Sequence, residues 1–229
     1  MRIPLGFVPL AAAGAALLAV PLVAGAQSNR PALSLEASPD TVTFGQSARL
    51  SGKVSGRIGK VRTIVLEHDP YPFGDGFSRL GSKRSRRNGS YTFEPKPDKH
   101  THYRVGTVHS DPYERVIHSP ARLVRSRMLM TFRVNDRFVS RRQRVRFSGS
   151  VLPGHPGRLV YLQKMTRSGR FRTFARTRQR DAGRGRSFYS YRTRLGRSGT
   201  FRARSSGDRD HLSGTSGTTS VLVSRRRRR

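Results

Sequence analysis

The sequence predicts an all-β protein, built as two tandem antiparallel β-sandwich domains that follow an N-terminal signal peptide. Three observations lead to this prediction. The 229-residue chain repeats itself at a nearly constant spacing, apolar and polar residues alternate within each copy, and an apolar stretch occupies the N-terminus. After residue 27, no segment carries a sustained apolar stripe of helical period.

The N-terminal segment has the organisation of a signal peptide. Arg2 precedes an apolar stretch from Ile3 to Val23, and Ala24-Gly25-Ala26 supplies the small residues that precede a cleavage site. We expect cleavage between Ala26 and Gln27, and retention as an N-terminal anchor is the alternative. The chain has no Cys, so it has no disulfide, and no later segment approaches the ~18 apolar residues of a span. We therefore expect an exported mature protein without a transmembrane span.

The internal repeat defines the domains. Val42 to Val54 aligns with Val139 to Val151 at an offset of 97, and Arg62 to His68 aligns with Arg158 to Lys164 at 96. Offsets that drift so little indicate a shared topology, and a unit of this length suits a small β domain. The predicted boundaries are 1–26 for the signal peptide, 27–124 and 125–224 for the two domains, and 225–229 for a polybasic disordered tail.

Alternation of period two assigns the core face of each strand. In the segment from Arg144 to Val151, the apolar side chains of Val145, Phe147 and Val151 share one face. Gly52 and Gly149 fall on that inward face, where a missing side chain allows close approach or a bulge. The aromatic residues expected to fill the second core are Phe147, Phe171, Phe174, Tyr189, Tyr191 and Phe201.

Several stretches of the second unit resemble a known family. They are "RFSGSVLPGHPGRLVYLQK" as strands B and C, "GRFRTFAR" as the strand that follows, and "GTFRARSSGDRDHLSGTSGTTSVLV" as strands F and G. This arrangement resembles the bacterial immunoglobulin-like domains found in tandem in exported actinobacterial proteins. The resemblance implies an immunoglobulin-like sandwich with a scaffold or adhesion role and no shared catalytic residues. The Cys and Trp residues of the antibody core are absent.

Positive charge is concentrated in the second unit. Residues 30–124 hold 16 Lys and Arg against 9 acids, whereas residues 125–229 hold 29 against 4, out of a formal net charge of +33. Such a surface attracts polyanions, and guanidinium groups pair well with phosphate, sulfate and carboxylate. The candidate polyanion-binding residues are Arg144, Arg146, Arg170, Arg172, Arg176, Arg178, Arg192 and Arg194, with the tail residues Arg225, Arg226, Arg227, Arg228 and Arg229.

The sequence predicts no metal or cofactor site. His100 and His102 would share one face of a strand, but metal sites usually need three or four convergent ligands, and no supporting motif is present. We expect the histidines to face solvent. Asp208 and Asp210 are expected to shape the turn of the F–G loop.

Three functions follow from these features. The first is a secreted, non-enzymatic structural or adhesion-type protein whose basic second domain associates electrostatically with anionic cell-envelope polymers or other polyanions. No motif of sequence-specific nucleic-acid recognition is present. The alternative is an immunoglobulin-like protein–protein interaction module whose charge is incidental. The third, a small secreted enzyme, is disfavoured because G-x-S-x-G, H-E-x-x-H and glycine-rich phosphate loops are absent.

Overall fold

A computed structural model describes residues 32–56, 61–108 and 116–224 of the chain. Within these ranges every regular element is a β-strand, and no helix is long and apolar enough to cross a membrane. The predicted signal peptide with its cleavage site at Ala26 and Gln27 lies outside the described residues, as does the tail from Arg225 to Arg229.

The first sandwich is formed by two sheets. Its strands are β1 (Ala32–Leu33), β2 (Glu36–Ser38), β3 (Thr41–Thr43), β4 (Arg49–Ser55), β5 (Thr63–Pro70), β6 (Ser78–Arg84), β7 (Ser90–Phe93), β8 (Thr101–Thr107) and β9 (Arg122–Arg127). One sheet has the order β1-β4-β2 with β7 also paired to β4, and the other has the order β3-β9-β8-β5-β6.

The second sandwich repeats this plan. Its strands are β10 (Leu129–Met130), β11 (Arg133–Val134), β12 (Phe138–Ser140), β13 (Arg144–Leu152), β14 (Leu159–Met165), β15 (Phe171–Arg178), β16 (Arg180–Asp181), β17 (Ser187–Arg194), β18 (Gly199–Ser205), β19 (Gly214–Thr215) and β20 (Thr219–Ser224). The inner sheet, as we call it, has the order β10-β13-β17-β16, and the outer sheet has the order β12-β20-β18-β14-β15.

These strand orders are immunoglobulin-like. The inner sheet corresponds to strands A, B, E and D, and the outer sheet to G, F and C with an added edge strand. The fold class predicted from the sequence is thereby confirmed, as two tandem sandwiches of all-β structure. Not every pair is antiparallel, however, because β3 runs parallel to β9 and β12 runs parallel to β20.

The repeated glycine marks a close approach between strands. A Cβ on Gly149 would lie 2.5 Å from the hydroxyl oxygen of Tyr189 and would collide with the carbonyl of Thr131. The Tyr189 hydroxyl donates a hydrogen bond to that carbonyl over 2.6 Å. Gly52 faces Tyr91 in the same way in the first sandwich. The predicted close approach is confirmed, and neither glycine forms a bulge.

The aromatic core of the second sandwich differs from the prediction on β15. Phe147, Tyr189 and Phe201 are fully buried. Phe174 is 40% exposed at the rim of the core, and Phe171 lies on the outside of its sheet, half-buried. Phe171 and Phe174 are three residues apart on β15, so period-two alternation sends their side chains to opposite faces of the sheet and only Phe174 turns toward the core.

Candidate polyanion interface

Four of the predicted arginines form a grid on the inner sheet. Arg144 of β13 lies directly opposite Arg194 of β17, and Arg146 lies directly opposite Arg192. All four side chains are exposed, while the intervening Val145 is fully buried. Because side chains alternate across a strand, burying the apolar residues of β13 sends both of its arginines to solvent. We call these four residues the arginine grid.

The arginine grid has no carboxylate partner among the described residues. None of its guanidinium groups makes a hydrogen bond or an ion pair with any part of the chain that the structure describes. Cβ atoms directly opposite on antiparallel strands are about 5 Å apart, and like charges there repel. The inner sheet therefore carries a concentrated positive potential that the described protein leaves unbalanced.

A groove runs beside the grid on the same face. Its volume is about 440 Å³, and Arg146 forms part of its wall together with Arg133 and Arg186. Hydroxyl groups of Ser148 and Ser150 also line it. Sequence reasoning missed Arg133 and Arg186, because β11 has only two residues and gives no alternation, and Arg186 lies in a turn just before β17.

A second group of predicted arginines lies on the outer sheet. Arg176 of β15 is opposite Tyr161 of β14, with its guanidinium carbon 5.8 Å from the ring centre, and Arg178 follows two residues later. Arg204, which the sequence prediction did not include, faces Tyr161 from the other side. Because the two sheets enclose one core, these arginines and the grid lie on opposite faces of the sandwich. The predicted set is thus divided between two faces.

The remaining predicted residues lie apart from both groups. Arg170 closes the turn between β14 and β15, where its carbonyl accepts a hydrogen bond from the Thr166 amide over 2.7 Å. Arg172 pairs with Lys164 at the end of the outer sheet that lies nearest this turn. The tail arginines belong to the part of the chain that is not described.

One cluster of metal-ligating side chains occurs in the described ranges, away from the grid. It comprises His155, Asp208, Asp210 and His211, whose ligand atoms all lie within 4.8 Å of one another. Asp208 and Asp210 do shape a turn, since the Asp208 carboxylate accepts hydrogen bonds from the backbone amides of Asp210 and His211. His211 is only 4% exposed, so the expectation that the histidines face solvent is wrong for it.

Comparisons with known proteins identify structural similarity alone. No protein-family model matches the chain, and no curated protein matches its sequence. The structure is similar to a tetra-tandem repeat in the extending region of a large adhesion protein, with 13% identity and a TM-score of 0.33 over 85% of this chain and 50% of that one. It is also similar to a marsupial T cell receptor, with 14% identity and a TM-score of 0.35 over 87% of this chain and 74% of that one.

The chain therefore spans half the length of the adhesion-protein repeat. Neither likeness bears on function, and the assignment of the fold rests on the strand order of the two sandwiches.

Proposed function

We propose that this is an exported, non-enzymatic immunoglobulin-like protein that holds an anionic polymer on the arginine grid of its second domain. The observation that carries this proposal is the direct opposition of Arg144 with Arg194 and of Arg146 with Arg192. Four cations at adjacent sheet positions are costly without an anion, and a bound polyanion would relieve their repulsion.

The geometry of the grid favours an extended polymer over a small ligand. Residues two apart on a strand are separated by about 6.7 Å, and neighbouring strands by about 4.8 Å. The grid thus offers two rows of guanidinium groups to successive anions along a chain. Each guanidinium can pair with a phosphate, sulfate or carboxylate through two hydrogen bonds. The adjoining groove, with Arg133 and Arg186 on its wall, would extend the contact.

The expected location supports an anionic polymer of the cell envelope as the partner. An exported chain meets envelope polymers before it meets genomic DNA, and the sequence carries no motif of base-specific recognition. Binding of this kind is governed by charge density and is weakened by salt.

A second candidate function is recognition of a protein through the edge of the outer sheet. Phe138 on edge strand β12 is 75% exposed, and Leu222, its partner on β20, is 53% exposed. An edge strand with exposed apolar residues can accept a strand or a loop from another protein. In that case the charge of the grid would be incidental.

Titration of the protein with polyphosphate and with heparin tests the first function. The decisive variant replaces Arg144, Arg146, Arg192 and Arg194 with Gln, and the matched control replaces Arg172, Arg176, Arg178 and Arg204 with Gln. Both variants lose four charges. We expect the grid variant to lose at least tenfold in affinity and the control to lose much less, with binding weakened between about 50 and 500 mM NaCl. Equal losses of affinity in both variants, or an affinity that does not change with salt concentration, would contradict the proposal.

A further inference from the structure

Two loops of the second sandwich bring two imidazoles and two carboxylates together. His155 lies in the B–C loop between β13 and β14, and Asp208, Asp210 and His211 lie in the F–G loop between β18 and β19. Their ligand atoms lie within 4.8 Å of one another. This junction cluster, as we call it, shares no residue with the arginine grid.

His211 is buried, and one of its two ring nitrogens lacks a hydrogen-bond partner among the described residues. Its Nε2 lies 2.7 Å from the backbone carbonyl of Asp98, and a carbonyl can only accept, so Nε2 carries the proton. Nδ1 then points a lone pair at carboxylate oxygens of Asp210 and Asp208, 3.1 and 3.4 Å away. Nδ1 is buried and has no hydrogen-bond partner among the described residues. A proton on Nδ1 or a metal ion would relieve the repulsion between these three electron-rich atoms.

His155 presents a second buried nitrogen of the same kind. Its Nε2 has no hydrogen-bond partner in the part of the chain that the structure describes, and it lies 3.4 Å from a carboxylate oxygen of Asp208. A proton on His211 would satisfy one of the two nitrogens and leave the other unsatisfied. One metal ion would satisfy both.

The spacing of the cluster suits a four-coordinate metal. With Zn–N and Zn–O bonds of about 2.1 Å, tetrahedral ligands lie about 3.4 Å apart. The closest nitrogen–oxygen separations here are 3.1 to 3.4 Å. Mixed imidazole and carboxylate ligands suit Zn²⁺ and neighbouring first-row ions, whereas Ca²⁺ requires six to eight oxygen ligands.

Surrounding hydrogen bonds hold the ligands in place. Arg158 contacts one carboxylate oxygen of Asp208 and donates to the Gly207 carbonyl over 2.9 Å. The hydrogen bond from His211 to Asp98 fixes the orientation of the imidazole ring. Outer contacts of this kind accompany bound metals and set the tautomer of a ligating histidine.

We propose that His155, Asp208, Asp210 and His211 bind one divalent transition-metal ion, of which Zn²⁺ is the type. The ion would join the B–C loop to the F–G loop. Its effect would reach the first sandwich, because the Asp98 carbonyl accepts from His211 and the Asp210 carbonyl accepts from the His100 amide over 2.9 Å. The role is structural and does not depend on binding of a polyanion.

Calorimetric titration of the full metal-free chain with Zn²⁺ tests this site. We expect one equivalent to bind and the midpoint of thermal unfolding to rise with Zn²⁺ concentration, because an ion that binds only the folded state stabilises it. Titration with Co²⁺ should give the visible absorption of a four-coordinate site, and Ca²⁺ should give no saturable heat.

Variants of the ligands localise the binding. Asp210→Asn keeps the shape of its side chain and should weaken Zn²⁺ binding by more than tenfold, as should His155→Gln. His102→Gln, which changes a histidine outside the cluster, should bind as the unmodified protein does. Absence of a saturable Zn²⁺ heat, or binding that survives both ligand variants, would overturn the proposal. A doubly protonated His211 in protein that binds no Zn²⁺ would do the same.

Discussion

The two sandwiches share an interior and differ on their surfaces. In each, a glycine of the first long strand, β4 or β13, faces a tyrosine across the sheet, Gly52 with Tyr91 and Gly149 with Tyr189. Each tyrosine hydroxyl donates to the backbone carbonyl of the residue that follows the first strand, Ser34 after β1 and Thr131 after β10. The residues that shape the core are therefore kept in both copies, and the charge difference arises elsewhere.

One pair of the arginine grid has an oppositely charged counterpart in the first sandwich. The register of β4 and β7 pairs Leu50 with Phe93 and continues past the end of β7, where the Ala48 amide donates to the Pro95 carbonyl over 2.9 Å. This continuation places Arg49 across from Glu94, although the two side chains, both in the described ranges, form no ion pair. The equivalent positions of the second sandwich hold Arg146 and Arg192. An opposite charge in one copy is thus replaced by a like charge in the other.

A second pair of equivalent residues shows the same change. In the first sandwich, Arg104 donates from Nε to the Glu67 carboxylate over 2.6 Å. In the second, Arg202 donates from Nε to the Gln163 amide oxygen over 2.8 Å. The arginine and the hydrogen bond remain, but the negative charge is missing. A surplus of arginine alone does not account for this, because carboxylates are also absent where their arginine partners persist.

The largest effect should come from filling the glycine of either core. Gly149→Ala drives a methyl group into the Thr131 carbonyl and the Tyr189 hydroxyl, so we expect a loss above about 3 kcal/mol in the second sandwich. Calorimetry should show the first sandwich unfolding as before. Gly52→Ala should destabilise the first sandwich and leave the second unchanged. Gly196→Ala, where an added Cβ has no described atom within 4 Å, should change the stability of neither sandwich appreciably. A Gly149→Ala protein as stable as the unmodified one would contradict the claim that both sandwiches need this glycine for the same close approach.

Removing the tyrosine hydroxyl should have an intermediate effect that depends on pH. Tyr189→Phe leaves the Thr131 carbonyl without its donor and should cost about 1–2 kcal/mol at neutral pH. Burial raises the pKa of Tyr189, so the folded state holds the phenol proton more tightly than the unfolded state does. Stability should therefore be constant below pH ~10, the unfolded pKa, and fall above it.

The phenylalanine variant provides the control for this pH dependence. Unfolding measured from pH 8 to 11 should show a smaller alkaline loss in the second sandwich of Tyr189→Phe than in the unmodified protein. Equal alkaline losses in both proteins would exclude Tyr189 as the titrating group. Tyr103, whose pKa burial raises to about 12, should keep an alkaline loss in the first sandwich.

Much of the interior could be predicted from the alternation of apolar and polar residues. The arginine grid and the junction cluster depend on contacts between segments that are far apart in the sequence. Val145, Phe147 and Val151 were placed in the core correctly because a long strand imposes period two. Phe171 was misplaced because it lies three residues from Phe174 on one strand, and alternation sends only one of the two side chains into the core. The junction cluster was missed because His155 approaches the F–G loop only through the fold.

The arginines show the same limit. The side chains of Arg144, Arg146, Arg192 and Arg194 were expected at the surface, and all four are exposed. What the sequence could not supply was the register of β13 against β17, which sets these residues directly opposite one another. Register follows from pairing across the sheet, which the pattern of a single strand does not contain.

Reversing the charge at one position should make the surface of one sandwich more like that of the other. Arg192→Glu restores the opposite-charge pair of the first sandwich, so we expect the second sandwich to gain roughly 0.5–1 kcal/mol at low salt. Affinity for polyphosphate should fall in the same variant. Glu94→Arg should do the reverse in the first sandwich, with lower stability and tighter binding. A variant in which the stability of the sandwich and its affinity for polyphosphate rise together would contradict the claim that repulsion within the grid drives binding.

The smallest effect should come from returning the missing carboxylate to the outer sheet. Gln163→Glu would give Arg202 the charged partner that Arg104 has in the first sandwich. Because the pair is partly exposed, we expect a gain of at most about 0.5 kcal/mol that disappears in 1 M NaCl. Glu67→Gln should lose a similar amount in the first sandwich, and urea unfolding at two salt concentrations measures both. If Gln163→Glu destabilises the second sandwich at low salt, the two hydrogen bonds are not equivalent, and the outer sheets differ by more than one charge.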